Sequence, residues 1–319
     1  MRKDNVIIMN PSAHDWEAGE QWPALTSLLG ACGVDFDLLE TGPGLNATAL
    51  AQQAAETGYG RVVAVGGDGT IHEVINGLMR ARVPRRPTLA LIPFGTANDI
   101  SKSFNITSYD LEETVRTISE GLDYPLDLGL LDGERYFADA FTIGYDADVL
   151  KDRNAMRAKR HLFKRGIESY LPSMAKEALF YAKATADIDV DGRAMRAKIY
   201  NLVVKNTRMY AGSFVLNSRI RGNDGKLDVF LFEQGQQYWS EIGTQLTKKV
   251  TVVADPTGFS GELMDIIVRN YRDFQARSVG ITLSRPTSSQ VDGEQYRTAD
   301  RFTVTCIKGA LTLKVPYPY

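Results

Sequence analysis

Two cysteines in 319 residues, Cys32 and Cys306, stand far apart with no Cys-x-x-Cys spacing and no Cys/His cluster. Neither a disulfide framework nor a structural zinc site is indicated, and a reducing compartment is the default expectation. An excess of one charge is equally absent, because 37 Lys and Arg stand against 39 Asp and Glu for a formal net charge of −2. The chain therefore has no global attraction to nucleic acid, and any polyanion must be met by a local patch. No uncharged apolar run approaches the roughly 18 to 20 residues that cross a bilayer. The first apolar run, Val6 to Met9, stops at Asn10-Pro11, too short for the core of a secretion signal. The expectation is a cytoplasmic protein that touches a membrane only at its inner surface. Internal repeats and low-complexity linkers are also missing. What remains is a chain 44% hydrophobic and 24% charged, with material for two packed cores.

Up to about residue 125, short apolar runs alternate with helical segments, the signature of an α/β domain. Strands are expected at Asn5 to Met9, Asp35 to Leu39, Arg61 to Val65 and Thr88 to Ile92. Helices are expected at Gln21 to Cys32, Ala47 to Glu56, Ile71 to Arg80 and Asp110 to Glu120. Each strand ends in Gly, Pro, Asn, Ser or Thr, where open α/β sheets place ligand loops. After about Asp127 the runs are strand-like: 135–143, 186–191, 195–205, 227–232, 279–284 and 302–315. Asp191-Gly192 between two of them predicts a type I′ hairpin, whose central residues both need φ > 0. Helical stretches at roughly 154–183, 236–249 and 260–275 interrupt this second, antiparallel β-rich part.

The sharpest motif is Gly66-Gly67-Asp68-Gly69-Thr70, between the apolar Val62 to Val65 and the helical Ile71 to Leu78. Glycines let backbone N–H groups approach a ligand, and a helix N-terminus adds unsatisfied donors, so strand, glycine loop and helix suit phosphate. Asp68 among phosphates is repulsive unless a divalent cation lies between, which points to a metal–nucleotide complex. A tight glycine turn with an Asx hydrogen bond is the other reading of the same residues. A second loop, Pro93-Phe94-Gly95-Thr96-Ala97-Asn98-Asp99, follows the next strand, and two such loops can face each other across a nucleotide crevice. Neither is a GxGxxG fingerprint or a lysine-bearing GxxxxGK[ST] loop.

This pair of blocks resembles the catalytic domain of the diacylglycerol kinase and sphingosine kinase superfamily, especially its soluble bacterial lipid kinases, and the resemblance covers nearly the whole chain. It implies ATP and Mg²⁺ as cofactors and a nucleotide site lined by Asn10, Pro11, Ser12, Thr41, Gly66, Gly67, Asp68, Gly69, Thr70, Glu73, Gly95, Thr96 and Asn98. Asn223-Asp224-Gly225-Lys226 resembles the family's structural magnesium segment, with Asp224 the implied ligand and Arg221 and Lys226 supplying carbonyls. Val291-Asp292-Gly293-Glu294 resembles the block with the catalytic carboxylate, which implies Glu294 as base, aided by Asp292, with Asp68 at the phosphates. Taken alone, the first of these segments reads as a turn and the second as a hairpin with a solvated acid.

The implied architecture is an ATP-binding α/β domain, residues 1–127 completed by 308–319, and a β-rich lipid domain, 128–307. The implied reaction is transfer of the γ-phosphate to a lipid hydroxyl, with diacylglycerol first and ceramide, a sphingoid base or another lipid next; a non-catalytic nucleotide- or lipid-binding protein is the rival of another class. NAD kinase and phosphofructokinase share a Gly-Gly-Asp-Gly block, but 93–99 and the Asp-Gly-Glu turn match the lipid kinases better. The chain departs from the family at Ala13-His14-Asp15-Trp16, where relatives have a small residue and Gly, and at 206–213, where it has one glycine where relatives tend to have several. Residues 151–165 hold seven Lys or Arg and one acid, with Arg153, Arg157, Arg160 and Lys164 on one helical face and Phe163, Ile167, Tyr170 and Met174 on another. That face is expected to dock on anionic membrane, a solvated face over a core stripe being the other reading of the same residues, and a homodimer is compatible with either.

Overall fold

The computed structural model describes residues 4–14, 16–159, 173–174, 181–212, 214–216, 219–242 and 271–317. They form two compact units, one of residues 1–139, 221–226 and 306–319, the other of 140–220 and 227–305. The architecture is mixed α/β, with an α/β first unit and a second unit dominated by strands.

The first unit is built on four parallel strands, β1 (Asn5–Met9), β2 (Phe36–Glu40), β3 (Arg61–Gly66) and β4 (Thr88–Pro93), in the order β2-β1-β3-β4. Their inner residues are apolar on both faces, as a sheet covered on both sides requires. Val6, Ile8, Val62, Ala64, Leu89 and Leu91 face helices α2 (Ala47–Thr57) and α3 (Asp68–Arg80). Ile7, Met9, Val63, Val65, Ala90 and Ile92 pack with α1 (Glu17–Ala31) and α5 (Leu111–Glu120). The short α4 (Asp99–Ser103) follows β4. Asn46 caps α2 by accepting the Ala49 N–H at 2.9 Å, and Asp110 caps α5 through the Glu113 N–H at 2.9 Å. β5 (Leu122–Leu131) turns into β6 (Arg135–Phe137), and Leu313 of the last strand, β16 (Glu294–Val315), pairs in parallel with Leu89.

The second unit carries the antiparallel order β14-β13-β10-β7-β15: β14 (Arg272–Ala276), β13 (Leu227–Phe232), β10 (Asn201–Lys205), β7 (Ala140–Gly144) and β15 (Ser278–Val291). β15 also pairs with the start of β16 and with β8 (Ala184–Val190), which hairpins into β9 (Arg193–Ile199). Asp191 (φ 50°) and Gly192 (φ 83°) form that two-residue turn as their sequence demands. Helix α6 (Tyr145–Lys159) follows β7, the strands β11 (Met209–Tyr210) and β12 (Phe214–Val215) form a small hairpin, and 235–242 are helical.

Several expectations are corrected. The run 135–143 is two strands, β6 and β7, divided where the chain leaves one unit for the other. The run 195–205 breaks at Tyr200, whose N–H donates to the Phe232 carbonyl while its own carbonyl accepts from Tyr145. Residues 272–275, expected to end a helix, are strand β14 against β13. The helix expected to start near 154 starts at Tyr145, with Asp146 and Asp148 in its first turn. Of the expected basic face, the side chains of Arg157, Arg160, Phe163, Lys164, Ile167 and Tyr170 lie outside the described residues, as does most of 243–270. Among the described residues, no helix is long and apolar enough to cross a membrane.

Candidate functional site

The parallel strands end nearly level: Met9 pairs with both Glu40 and Val65, and Gly66 pairs with Pro93. This register brings Thr41, Asn10, Gly66-Gly67 and Phe94-Gly95 to one edge of the sheet, in that order across it. The ladder continues into these loops, with Thr41 N–H to Met9 at 2.8 Å, Asn10 N–H to Val65 at 3.0 Å and Phe94 N–H to Gly66 at 2.8 Å. The loops are thus anchored at their starts by backbone bonds, which is how an open α/β sheet presents a rigid ligand edge.

The glycines are explained by what surrounds them. A methyl group on Gly95 would lie 2.6 Å from the Gly67 Cα and 2.5 Å from Asn98 Oδ1, and one on Gly66 would lie 2.6 Å from Thr70 Oγ1. The two loops therefore touch backbone to backbone. Gly67 is the N-cap of α3 and gives no side-chain cap to the N–H groups of the first turn, the end of a helix that suits an anion. Asn10 crosses to the same loop, its Nδ2 donating to Thr70 Oγ1 at 3.2 Å, while its Oδ1 accepts from Ser12 N–H at 3.2 Å and Ser12 Oγ at 2.8 Å. The Pro11 carbonyl accepts the Gly19 N–H at 3.2 Å. Asn98 combines two costs. It sits at φ 53° and is 4% exposed, with Nδ2 donating to the Gly95 carbonyl at 2.8 Å. Its buried Oδ1 has no hydrogen-bond partner among the described residues. An orphaned buried acceptor costs about 1–3 kcal/mol, and such strain collects at ligand sites.

Other candidates have structural partners. Asp68 Oδ1 accepts the Ile100 N–H at 3.2 Å, so the carboxylate links the first loop to the first turn of α4 just after the second. Glu73 Oε2 accepts the Ala47 N–H at 2.9 Å and so holds the start of α2, a docking role that its place in the helical run did not reveal. Thr96 lies in the second loop between Gly95 and Asn98.

In the 221–226 segment, Asp224 is exposed and its Oδ1 accepts the Lys226 N–H at 2.9 Å, an Asx turn. One carboxylate with backbone carbonyls is a hard oxygen set compatible with a magnesium ion that keeps several waters. Among the described residues, no three metal-binding side chains converge. Beside this turn lies a carboxylate the sequence reading missed, Asp127, which is 0% exposed. Its Oδ2 accepts the Gly225 N–H at 2.6 Å and its Oδ1 the Gly309 N–H at 2.7 Å. Burial pushes its pKa above the usual carboxylate range, opposed by these two N–H bonds; nearby Asp224 raises it further and Lys308 lowers it. The signal in the sequence was a lone acid inside the apolar run Tyr124 to Leu131, where a charge must find fixed donors.

In the second unit, Asp292 (φ 45°) and Gly293 (φ 78°) form the turn between β15 and β16, with Val291 paired to Glu294. Asp292 is 4% exposed, with Oδ1 accepting the Ala140 N–H at 3.0 Å and its own N–H donating to the Ala140 carbonyl at 2.8 Å. It pins the turn to β7. Glu294, two residues on, is exposed. The two acids therefore divide into a buried anchor and a solvent-facing carboxylate.

Residues 4–131 match the family described as the diacylglycerol kinase catalytic domain, and residues 140–315 match the YegS C-terminal NAD kinase beta sandwich-like domain. A diacylglycerol kinase of Bacillus subtilis is 31% identical over 193 residues, 59% of this chain and 60% of that protein. A crystal structure of a diacylglycerol kinase from Bacillus anthracis matches with a TM-score of 0.75 at 24% identity, covering 98% of this chain and 97% of that one. An NAD kinase from Archaeoglobus fulgidus in complex with ATP matches with a TM-score of 0.51 at 10% identity, covering 98% and 94%. These two structural likenesses concern the fold alone.

Proposed function

The chain belongs to the family of the YegS C-terminal NAD kinase beta sandwich-like domain, which matches residues 140–315, and its residues 4–131 match the diacylglycerol kinase catalytic domain; on that premise we propose that it is an ATP-dependent lipid kinase whose first acceptor is diacylglycerol. The observation that carries the reading is the level register that brings Asn10, Thr41, Gly66 to Thr70 and Gly95 to Asn98 to one sheet edge, with two glycine loops in backbone contact. The α3 N–H groups would hold the phosphates of ATP, and Asp68 would help to hold its magnesium ion, which would supply the charge neutralisation that the phosphoryl transfer needs. Asn10, Pro11, Ser12, Thr41, Thr96 and Asn98 line the nucleotide. The acceptor hydroxyl gives its proton to the Glu294 carboxylate, its oxygen bonds to the γ-phosphorus, and the bond to the bridging oxygen breaks to release ADP. Asp292 holds the Glu294 turn in place. Asp224, with the carbonyls of Arg221 and Lys226, would hold a second magnesium, which would fix the 221–226 turn.

The test is transfer of labelled γ-phosphate from ATP, with magnesium, into organic-extractable product from vesicles containing diacylglycerol, ceramide, sphingosine and phosphatidylglycerol. A labelled phosphatidic acid is expected. A different labelled lipid would replace diacylglycerol as acceptor, and ATP binding with no labelled lipid would move the reading to a soluble acceptor or a non-catalytic role. Glu294→Gln should lose about 100- to 10,000-fold in turnover with its melting temperature unchanged; retained turnover removes it from the base role. The seven basic residues of 151–165 support peripheral docking on anionic lipid at the inner face of the membrane. Charge reversal at Arg153, Arg157, Arg160 and Lys164 should abolish sedimentation with phosphatidylglycerol vesicles, and unchanged sedimentation would refute that docking mode.

A further inference from the structure

The segment between Asn10 and α1 carries two side chains where the backbone favours glycine. His14 has φ 50° and Trp16 φ 75°, both left-handed. Trp16 is also 61% exposed, and among the described residues no hydrogen bond or ring contact engages its indole. A tryptophan has the largest apolar surface of any residue, so leaving it in water at a strained φ is costly on both counts. Such a cost is tolerated where a ligand covers the ring.

The position of Trp16 says which part of a ligand that is. Its N–H donates to the Ser12 carbonyl at 3.4 Å, Ser12 is bonded to the Asn10 side chain, and Asn10 reaches Thr70 Oγ1 at 3.2 Å in the glycine loop. A short chain of hydrogen bonds thus connects the Trp16 backbone to the loop proposed to hold phosphates. The strand order sets Asn10 beside Thr41 on one side and Gly66-Gly67 on the other. An extended nucleoside triphosphate with its phosphates at Gly67 has its base displaced from them by the length of a ribose, a span that reaches past the roughly 4.8 Å between neighbouring strands.

We propose that the exposed Trp16 indole is the stacking platform for the purine base of the bound nucleotide, a base-binding residue on the first loop of this chain. This rests on the nucleotide reading given above and adds to it a contact to the base. The glycine-loop N–H groups read only phosphate and are indifferent to the base, whereas an aromatic face adds affinity only for a ligand that has one.

The test is equilibrium binding of magnesium-ATP and of inorganic tripolyphosphate to the full chain, to Trp16→Ala and to Trp16→Phe. Trp16→Ala is expected to weaken ATP binding about tenfold or more and to leave tripolyphosphate binding unchanged, while Trp16→Phe recovers most of the ATP affinity. Equal ATP affinity in the unsubstituted chain and Trp16→Ala would overturn the proposal alone. So would parallel losses of both ligands, which would mean that the substitution disturbs the loop instead of removing a base contact. If the unsubstituted chain binds neither ligand, the nucleotide reading fails, and this proposal with it.

Discussion

Gly95 is placed so that its missing side chain is the contact: any Cβ meets backbone at Gly67, which no rotamer change can relieve. Gly95→Ala should therefore push the two loops apart, raising the KM for ATP about tenfold or more while the chain stays folded, as steady-state kinetics and a melting curve would show. An unchanged KM would mean that the loop contact is packing without bearing on the nucleotide. At this level the placement of the glycines and of Asn10 in loops at one sheet edge could be read from the sequence, because each follows an apolar strand run. The partners of the acids could not. Glu73 on the start of α2 and Asp292 on the Ala140 N–H depend on strands and helices brought together over 26 and 152 residues of separation. No local pattern encodes such pairings. Asp292→Ala should consequently lower the melting temperature, because it leaves the buried Ala140 N–H without its side-chain acceptor, whereas Glu294→Gln should not. Equal stability of the two variants would contradict the division into a buried anchor and a solvent-facing acid.

Helices α2 and α3 pack on one face of the parallel sheet at a distance set by Gly77, where a methyl group would lie 2.2 Å from the Thr48 carbonyl oxygen and 2.7 Å from the Ala51 Cβ. Gly77→Ala gains about 1 kcal/mol of helix propensity but loses about 1–3 kcal/mol to overpacking against backbone that cannot yield. The balance is a net loss, expected as a lower urea midpoint; a higher midpoint would show that the helices have room to part. In the second unit, elements are tied by the buried Asp146 of α6. It accepts from Asn201 Nδ2 and Tyr238 at 2.6 Å each and from the Tyr210 hydroxyl, bringing in β10, residues 235–242 and β11. Burial raises the Asp146 pKa, partly offset by Tyr210, Tyr238 and Asn201. A raised folded pKa means that the native state holds the proton more tightly, so this group's contribution is full below the unfolded carboxylate pKa of about 3.9 and is lost as pH rises through the folded value. The melting temperature of Asp146→Asn minus that of the unsubstituted chain should thus grow from pH 4 upward. A difference independent of pH would refute the raised pKa. The four parallel strands and helices α2, α3 and α5 were legible from their apolar period, whereas α1 starts four residues before the expected Gln21 and neither α4 nor β5 was expected. The β-rich part was less so: an alternating run such as 195–205 does not show that Tyr200 bonds outward and ends a strand.

The chain does not divide at a single point, since 221–226 and 306–319 return to the unit that contains residues 1–139. Leu311, Leu313 and Val315 are at most 3% exposed within the core that holds Val6, Ile8, Val62 and Leu91. Each such side chain contributes about 1.5–3 kcal/mol, so the three together approach the roughly 5–15 kcal/mol by which a domain is stable at all. A fragment of residues 1–139 also strips Asp127 of the Gly225 and Gly309 N–H groups and leaves a buried carboxylate without those donors. Despite containing all of the residues matched to the catalytic-domain family, that fragment is expected not to fold cooperatively. Its urea titration should follow a broad, non-sigmoidal course, and it should fail to bind ATP. A version with 306–319 appended through a flexible linker should recover a sigmoidal transition, because the appended strand restores the Leu313 to Leu89 pairing and the three apolar side chains. Cooperative unfolding of 1–139 alone, with a midpoint equal to that of the full chain, would show that the returning strand is dispensable and that the stability of the first unit resides in its four parallel strands and their helices.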